Sequence, residues 1–148
     1  MTKSPIRVLL ADDDEDDRNF FREALEELKI KTSVHIVNDG QALIDYLSQP
    51  GVRAPDILFL DLNMPCKSGV DCLIDIKAMQ HLKNIAIAIY STSGSEADIE
   101  NTFLKGANVY IKKPSDFNAL KKVLSQVITI NWQYQTSGLN RDNFLLSI

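Results

Sequence analysis

The chain has 148 residues, of which 45% are hydrophobic and 24% are charged, and its formal net charge is −4. This length fits one globular domain, and the composition lies far from the low hydrophobicity and high charge of disordered chains. The net charge is negative and the lysines are scattered along the sequence, which is not the clustered basic pattern of a nucleic-acid binder. We therefore expect no nucleic-acid partner.

No apolar run approaches the roughly 18 residues that a membrane-spanning helix needs, and the start MTKSPIRVLL lacks the parts of a cleavable signal peptide. The two cysteines, Cys66 and Cys72, have no second pair and no histidine cluster near them. This pattern indicates neither a disulfide framework nor a zinc site. We expect a cytoplasmic protein with reduced thiols and no membrane association.

Short unbroken apolar runs alternate with amphipathic segments along most of the chain. Unbroken runs indicate strands covered on both faces, whereas apolar residues spaced three and four apart indicate helices. In chain order we predict strand 6–11, helix 16–28, strand 33–37, helix 40–47, strand 57–60, helix 70–81, strand 85–90, helix 96–104, strand 109–111 and helix 117–130.

Five strand–helix repeats predict an α/β fold, a doubly wound five-stranded parallel sheet of which the flavodoxin-like order is one common form. The strand order itself cannot be read from the sequence. We expect residues 1–130 to form the domain and residues 131–148 to form a C-terminal extension with no separate output domain. The extension is more apolar than a linker, because it contains Trp132, Tyr134, Phe144, Leu145 and Leu146. Docking on its own domain is favoured over a dimer or partner surface.

Polar side chains stand where four of the predicted strands end. Asp12 and Asp13 follow the first strand, Asp61 the third, Ser91 the fourth and Lys113 the fifth. The carboxyl ends of parallel strands meet at one edge of the sheet, so these side chains are expected to converge. Carboxylates gathered at one point repel each other without a cation, and an oxygen-only set with open positions suits Mg²⁺.

With such an ion in place, Asp61 can act as an oxygen nucleophile toward a phosphoryl group and form an aspartyl phosphate. Phosphoryl transfer also requires that the charge on the equatorial oxygens be neutralised. Mg²⁺, the Lys113 ammonium and the Ser91 hydroxyl would together supply this neutralisation.

Ordinary structural roles compete with these assignments. Helix capping explains the acids 14–17 more simply than chemistry does. Asp61 taken alone could be a turn residue. Strand alternation points Lys112 and Lys113 to opposite faces, and Lys112 is the one expected in solvent. The isolated His35 and His81 are expected at the surface or a sheet edge.

Three motifs resemble the receiver domain of response regulators: VLLADDD at 8–14, LDLNMPCKSG at 60–69 and YIKKP at 110–114. That family is marked by an acidic pair after the first strand, an aspartate after the third, a serine or threonine after the fourth and Lys-Pro after the fifth. The resemblance covers about residues 5–130. It implies a stand-alone, chemotaxis-regulator-like receiver with the flavodoxin-like (βα)5 fold, similar to the small regulators of hybrid or phytochrome-type sensor kinases.

The resemblance also implies a role for each matching residue. Asp12 and Asp13 would hold Mg²⁺, and Asn63 would offer its backbone carbonyl to the ion. Asp61 would bind the ion and accept the phosphoryl group. Ser91 would be the switch hydroxyl, Lys113 would pair with the phosphoryl oxygens, and Tyr110 would be the aromatic whose rotamer reports activation.

The implied function is that of a phosphorelay protein. A sensor histidine kinase, a hybrid kinase or a phosphotransfer protein would donate phosphate to Asp61, and the phosphorylated chain would act on a downstream protein target. A homodimer is left open, and no catalysis is expected beyond the chain's own phosphoryl transfer and hydrolysis.

Two alternatives are disfavoured. A Mg²⁺-dependent phosphatase with an aspartyl intermediate typically has Asp-x-Asp after its first strand, whereas here the candidate nucleophile follows the third strand and Asn63 stands at the second position. A degenerate receiver that only binds a partner would not need the complete set of site residues.

Overall fold

The structure, a computed structural model, describes residues 5–129 and 144–146. The elements are β1 (Ile6–Ala11), α1 (Glu15–Glu27), β2 (Thr32–Val37), α2 (Gly40–Ser48), β3 (Ile57–Leu60), α3 (Gly69–Lys77), β4 (Ala86–Ser91), α4 (Glu96–Leu104), β5 (Val109–Lys112), α5 (Phe117–Thr129) and β6 (Leu145–Leu146). Apart from α3, each predicted element matches its observed bounds to within one residue. Over the described residues, no helix is long and apolar enough to cross a lipid bilayer.

The third helix is shorter than predicted. It ends at Lys77, and Met79 then takes an extended conformation with φ −87° and ψ 115°. A single turn of 3₁₀ helix, Gln80–Leu82, follows and brings Leu82 into the core. Met79 and Leu82 continue the apolar spacing of the helix, so periodicity alone could not locate the break.

The strands form one parallel sheet in the order β2-β1-β3-β4-β5-β6. The first five strands confirm the predicted parallel sheet and have the flavodoxin-like order. The order reverses between β1 and β3, and in open parallel sheets the crevice outside such a reversal is where ligands bind. The two residues of β6 are an addition that we did not predict as a strand.

Two apolar layers cover the sheet. One joins α1 and α5 to the sheet through the aromatic cluster of Phe21, Phe59 and Tyr90, whose ring centroids lie 4.9 to 6.3 Å apart. The other layer joins α2, α3 and α4 to the opposite face and contains Tyr110. Complete burial of such side chains stabilises the fold by roughly 1.5 to 3 kcal/mol each.

The end of the C-terminal extension packs on the second layer. Phe144 is fully buried, and its ring centroid lies 5.3 Å from that of Phe103 in α4 and 6.2 Å from that of Tyr110 in β5. The favoured docking of the extension is therefore observed for Phe144, whereas Trp132 and Tyr134 lie outside the described residues. The domain boundary near residue 130 stays a prediction.

Candidate functional site

Three carboxylates meet at the carboxyl edge of the sheet. Asp12 directly follows β1 and Asp61 directly follows β3, and both are buried, while Asp13 beside them is exposed. One oxygen from each of the three lies within 4.8 Å of the others, close enough for all three to hold one metal ion. The convergence predicted from the strand ends is present for these residues.

Lys113 reaches the same point from the end of β5. Its ammonium nitrogen lies 2.9 Å from Asp12 Oδ2, 2.8 Å from Asp17 Oδ2 and 3.4 Å from Asp61 Oδ2. Burial alone would lower the pKa of Lys113, but its close contacts with the Asp17 and Asp12 carboxylates outweigh burial and the pKa rises. The site therefore contains a charged ammonium, and its neighbour Lys112 is exposed as predicted.

Asp17 is a member of this cluster that our sequence reasoning missed. We assigned it to the capping of α1, and Asp14 does cap that helix by accepting a hydrogen bond from the Asp17 amide. The side chain of Asp17 nevertheless turns inward to Lys113. The signal was present in the spacing, because Asp17 stands four residues before Phe21 and seven before Ala24, both of which are buried.

Burial of the Asp12 and Asp61 carboxylates is unfavourable, because it removes charged groups from water. Burial raises the pKa of Asp61 to about 6 and also raises the pKa of Asp12, although Lys113 opposes both shifts. Asp12 Oδ2 is buried and, despite its 2.9 Å ion pair with Lys113, accepts no hydrogen bond of good geometry. An incompletely satisfied oxygen among several acids and one ammonium fits a hard divalent cation.

The loop after β3 fixes the backbone of Asp61. The Asp61 amide donates to the carbonyl of Ala11 at 3.0 Å, and the Asn63 amide donates to Asp61 Oδ1 at 3.3 Å. The loop then closes so tightly that a Cβ on Gly69 would lie 2.2 Å from the Asp61 carbonyl oxygen. A side chain at position 69 would thus displace Asp61. The role of the Asn63 backbone carbonyl as a ligand of Mg²⁺ stays a prediction.

Ser91 and Tyr110 form a second group beside the carboxylates. Ser91 is fully buried at the end of β4, its carbonyl accepts from the Lys113 amide at 2.8 Å, and its Oγ accepts from the Ser93 amide at 3.1 Å. The Tyr110 hydroxyl donates to the carbonyl of Ser93 at 2.8 Å. Burial raises the pKa of Tyr110, and hydrogen bonding to Ser93 and to the Ser91 side chain offsets part of that rise.

The two histidines lie away from this edge, as expected. His35 is exposed on β2 and stacks on Tyr46 with ring centroids 4.0 Å apart. His81 is exposed beyond α3, with Nε2 3.2 Å from the carbonyl oxygen of Leu47. Neither ring contributes to the carboxylate cluster.

Comparison with known proteins agrees with this geometry. Residues 8–125 match the response regulator receiver domain. Response regulator Rcp1 of Synechocystis sp. is 30% identical over 127 residues, which cover 83% of this chain and 86% of Rcp1. The probable methanogenesis regulatory protein FilR2 of Methanothrix harundinacea is 29% identical over 128 residues, which cover 84% of this chain and 83% of FilR2.

Solved structures give the same result. The Mn²⁺-bound form of Rcp1 has a TM-score of 0.79 at 29% identity, covering 86% of this chain and 98% of that one. The phosphorylated cyanobacterial phytochrome response regulator RcpA has a TM-score of 0.77 at 30% identity, covering 84% of this chain and 91% of that one. From its sequence, its fold and the arrangement of its carboxylates, this chain belongs to the receiver domain family of two-component response regulators.

Proposed function

We propose that Asp61 is the phosphoacceptor of this receiver and that a bound Mg²⁺ supports the transfer. The observation that carries the proposal is the meeting of the Asp12, Asp13 and Asp61 carboxylates with the Lys113 ammonium at one sheet edge. A sensor histidine kinase, a hybrid kinase or a phosphotransfer protein in the cytoplasm would be the donor.

The chain's own residues fit the ion. Asp12, Asp13 and Asp61 would provide carboxylate oxygens and Asn63 its backbone carbonyl, a hard oxygen set of the kind Mg²⁺ prefers. When bound, the ion would reduce the repulsion between Asp61 and the incoming phosphoryl oxygens. The excess of carboxylates over the single Lys113 ammonium in contact with them supports this assignment.

In the transfer, an oxygen of Asp61 forms a bond to phosphorus while the bond between phosphorus and the donor nitrogen breaks. The leaving imidazole keeps the electron pair of that bond. Lys113 is already 3.4 Å from Asp61 Oδ2, so a small movement away from Asp17 would bring its ammonium to the new phosphoryl oxygens. The Ser91 hydroxyl would donate a hydrogen bond to another of those oxygens.

The output is proposed to be a change in protein contacts. A phosphoryl group adds up to about two negative charges, and it would favour the arrangement in which Ser91 and Lys113 close on it. Ser91 ends β4 and is hydrogen-bonded to the loop before α4. The surface formed by β4, α4 and β5 would therefore change most, and a downstream protein or a second copy of the chain would bind there.

The experiment is phosphorylation of the full chain by Mg²⁺ and acetyl phosphate, followed by intact mass. We expect a gain of one phosphoryl group in the wild type and none in Asp61→Asn. Asp16→Asn is the matched control, because Asp16 is an exposed acid near Asp12 and Asp13 in sequence that is not one of the three clustered carboxylates. No gain in the wild type would contradict the proposal, and steady turnover of phosphomonoesters would favour a phosphatase.

A further inference from the structure

The end of the C-terminal extension occupies a defined place on the domain. Leu145 and Leu146 pair in parallel with Tyr110 and Ile111 of β5, and the Phe144 ring is fully buried beside them. Phe144 packs edge-on against both Phe103 and Tyr110. We call residues 144–146 the latch segment.

The Tyr110 ring connects the latch segment to the carboxylate site. On one side Phe144 packs against the ring, and on the other the Tyr110 hydroxyl donates to the Ser93 carbonyl at 2.8 Å. The Ser93 amide in turn donates to Ser91 Oγ. A short series of contacts therefore links Phe144 to the hydroxyl that is proposed to meet the phosphoryl group.

Steric packing lets Phe144 restrict the position of the Tyr110 ring. Tyr110 is fully buried, so a ring that left its position would either collide with Phe144 or leave a void beside it. Packed interiors tolerate neither at low cost, since both overpacking and cavities destabilise. A docked Phe144 therefore keeps the Tyr110 hydroxyl on the Ser93 carbonyl and keeps the loop between β4 and α4 close to β5.

We propose that the latch segment regulates the receiver from within the chain: docked on β5, it keeps Tyr110 and the loop after β4 in an arrangement from which Ser91 can close on the phosphoryl group. The proposal rests on the proposed function of Asp61, Ser91 and Tyr110. Phe144 is a positioning residue in it, because it acts on the site through Tyr110.

Coupling of this kind is reciprocal. If the docked latch segment strengthens phosphoryl binding by some factor, the phosphoryl group must strengthen docking by the same factor. Both effects are measurable on the full chain, with beryllofluoride and Mg²⁺ as the mimic of the phosphoryl group.

The first measurement is the apparent affinity for beryllofluoride, followed by amide chemical shifts. We expect Phe144→Ala to weaken it about fivefold, near the lower end of typical allosteric coupling. The matched control is Leu104→Ala, because Leu104 lies next to Phe103 in α4 but has 71% of its surface exposed. The control should bind like the wild type.

The second measurement separates an effect through Tyr110 from a general loosening of the fold. Tyr110→Phe removes the hydrogen bond to Ser93 but keeps the ring. In that background Phe144→Ala should change the affinity by less than twofold, a difference that a double-mutant cycle reports directly. In the wild type, beryllofluoride should slow amide exchange at residues 145 and 146 about fivefold, as reciprocity requires.

The outcomes separate the two proposals. If the wild type binds beryllofluoride and Phe144→Ala binds it equally well or more tightly, the latch proposal is wrong while the role of Asp61 stands. If the wild type does not bind it, the proposed function itself fails. An effect of Phe144→Ala that grows with protein concentration would assign the latch segment to a second copy of the chain and would overturn the intramolecular form.

Discussion

Two fully buried tyrosines on neighbouring strands have different environments. Tyr90 of β4 faces α1 and α5, where its ring packs against Phe21 and Phe59. Tyr110 of β5 belongs to the opposite layer, with its hydroxyl on a loop carbonyl and its ring against Phe144. Equal burial thus does not mean equal constraint.

The difference lies in what the neighbours are attached to. The aromatic neighbours of Tyr90 sit within a helix and a central strand, so those two rings move only if the core opens. Lys113 is its neighbour from the site, with its ammonium 5.3 Å from the Tyr90 ring centroid. The neighbours of Tyr110 include the loop between β4 and α4, the two-residue strand β6 and Phe144, parts that can rearrange without opening the rest of the core. The α1/α5 layer is therefore the scaffold, and the opposite layer contains the parts that can respond to the site.

The largest expected effect tests the scaffold layer. Phe59→Ala should lower the free energy of unfolding by about 3 to 5 kcal/mol, because Phe59 is fully buried between Phe21 and Tyr90 and the truncation leaves a cavity. Urea denaturation followed by circular dichroism measures this value. A loss below about 1 kcal/mol would show that this layer can repack and would remove the contrast with the other one.

A smaller effect is expected in the loop that carries Asp61. Gly69→Ala should cost about 2 kcal/mol, because the new Cβ must displace backbone. It should also reduce phosphorylation by acetyl phosphate, since Asp61 moves. The control is Gly51→Ala, where φ is +82° but nothing lies within 4 Å of a new Cβ; strain of about 1 kcal/mol and normal phosphorylation are expected there.

The responsive layer is tested by the stability of Phe144→Ala. Although Phe144 is as buried as Phe59, the substitution should lower the free energy of unfolding by only about 1 kcal/mol, because the latch segment can undock without opening the core. The measurement is the same urea titration, with amide exchange at Tyr110 and Ile111 as the local probe. A loss as large as that of Phe59→Ala would place Phe144 in the scaffold.

A change of opposite sign is expected at the carboxylates. Asp61→Asn should raise the free energy of unfolding by about 1 kcal/mol in the absence of metal, because it removes a buried charge from a cluster of acids. Thermal unfolding with a chelator present measures this change, and Asp16→Asn, which only loses a favourable interaction with the N-terminus of α1, should not raise the stability. A destabilised Asp61→Asn would mean that the ion pair with Lys113 outweighs the repulsion.

The smallest effect concerns the two thiols. Cys66 is exposed, whereas Cys72 is fully buried and burial raises its pKa to about 11. At pH 8 a thiol reagent should therefore modify the folded chain once, at Cys66, because little of Cys72 is thiolate and little of it is accessible. Peptide mapping after labelling identifies the site, and rapid double labelling would indicate that the layer around α3 opens readily.

The strand ends were the most predictable part of the site. Uninterrupted apolar runs show where β1 and β3 stop, so the sequence alone places Asp12 and Asp61 at one edge of the sheet. Strand alternation separates Lys113 from Lys112, and in the structure Lys113 contacts the carboxylates while Lys112 is exposed. These predictions rest on local rules that the core does not override.

Long-range contacts were not predictable in the same way. The inward turn of Asp17 depends on the position of α1 over the sheet. The contact of Phe144 with Tyr110 joins residues separated by the whole of α5 and most of the extension. The end of α3 was also missed, because the residues after it keep a helical spacing. In each case the deciding contact lies outside the window that a sequence pattern describes.

The pairing of β6 with β5 has a further consequence for self-association. A strand of sequence VYIK is rich in residues that favour β-structure, and an outer strand offers free N–H and C=O groups to any other chain. The opposite outer strand, β2, is less prone to pair with another chain, since its polar residues Ser33 and His35 are exposed. Chains that lose residues 144–146 should therefore aggregate edge to edge through β5, and the rate should rise with concentration even where phosphorylation is intact.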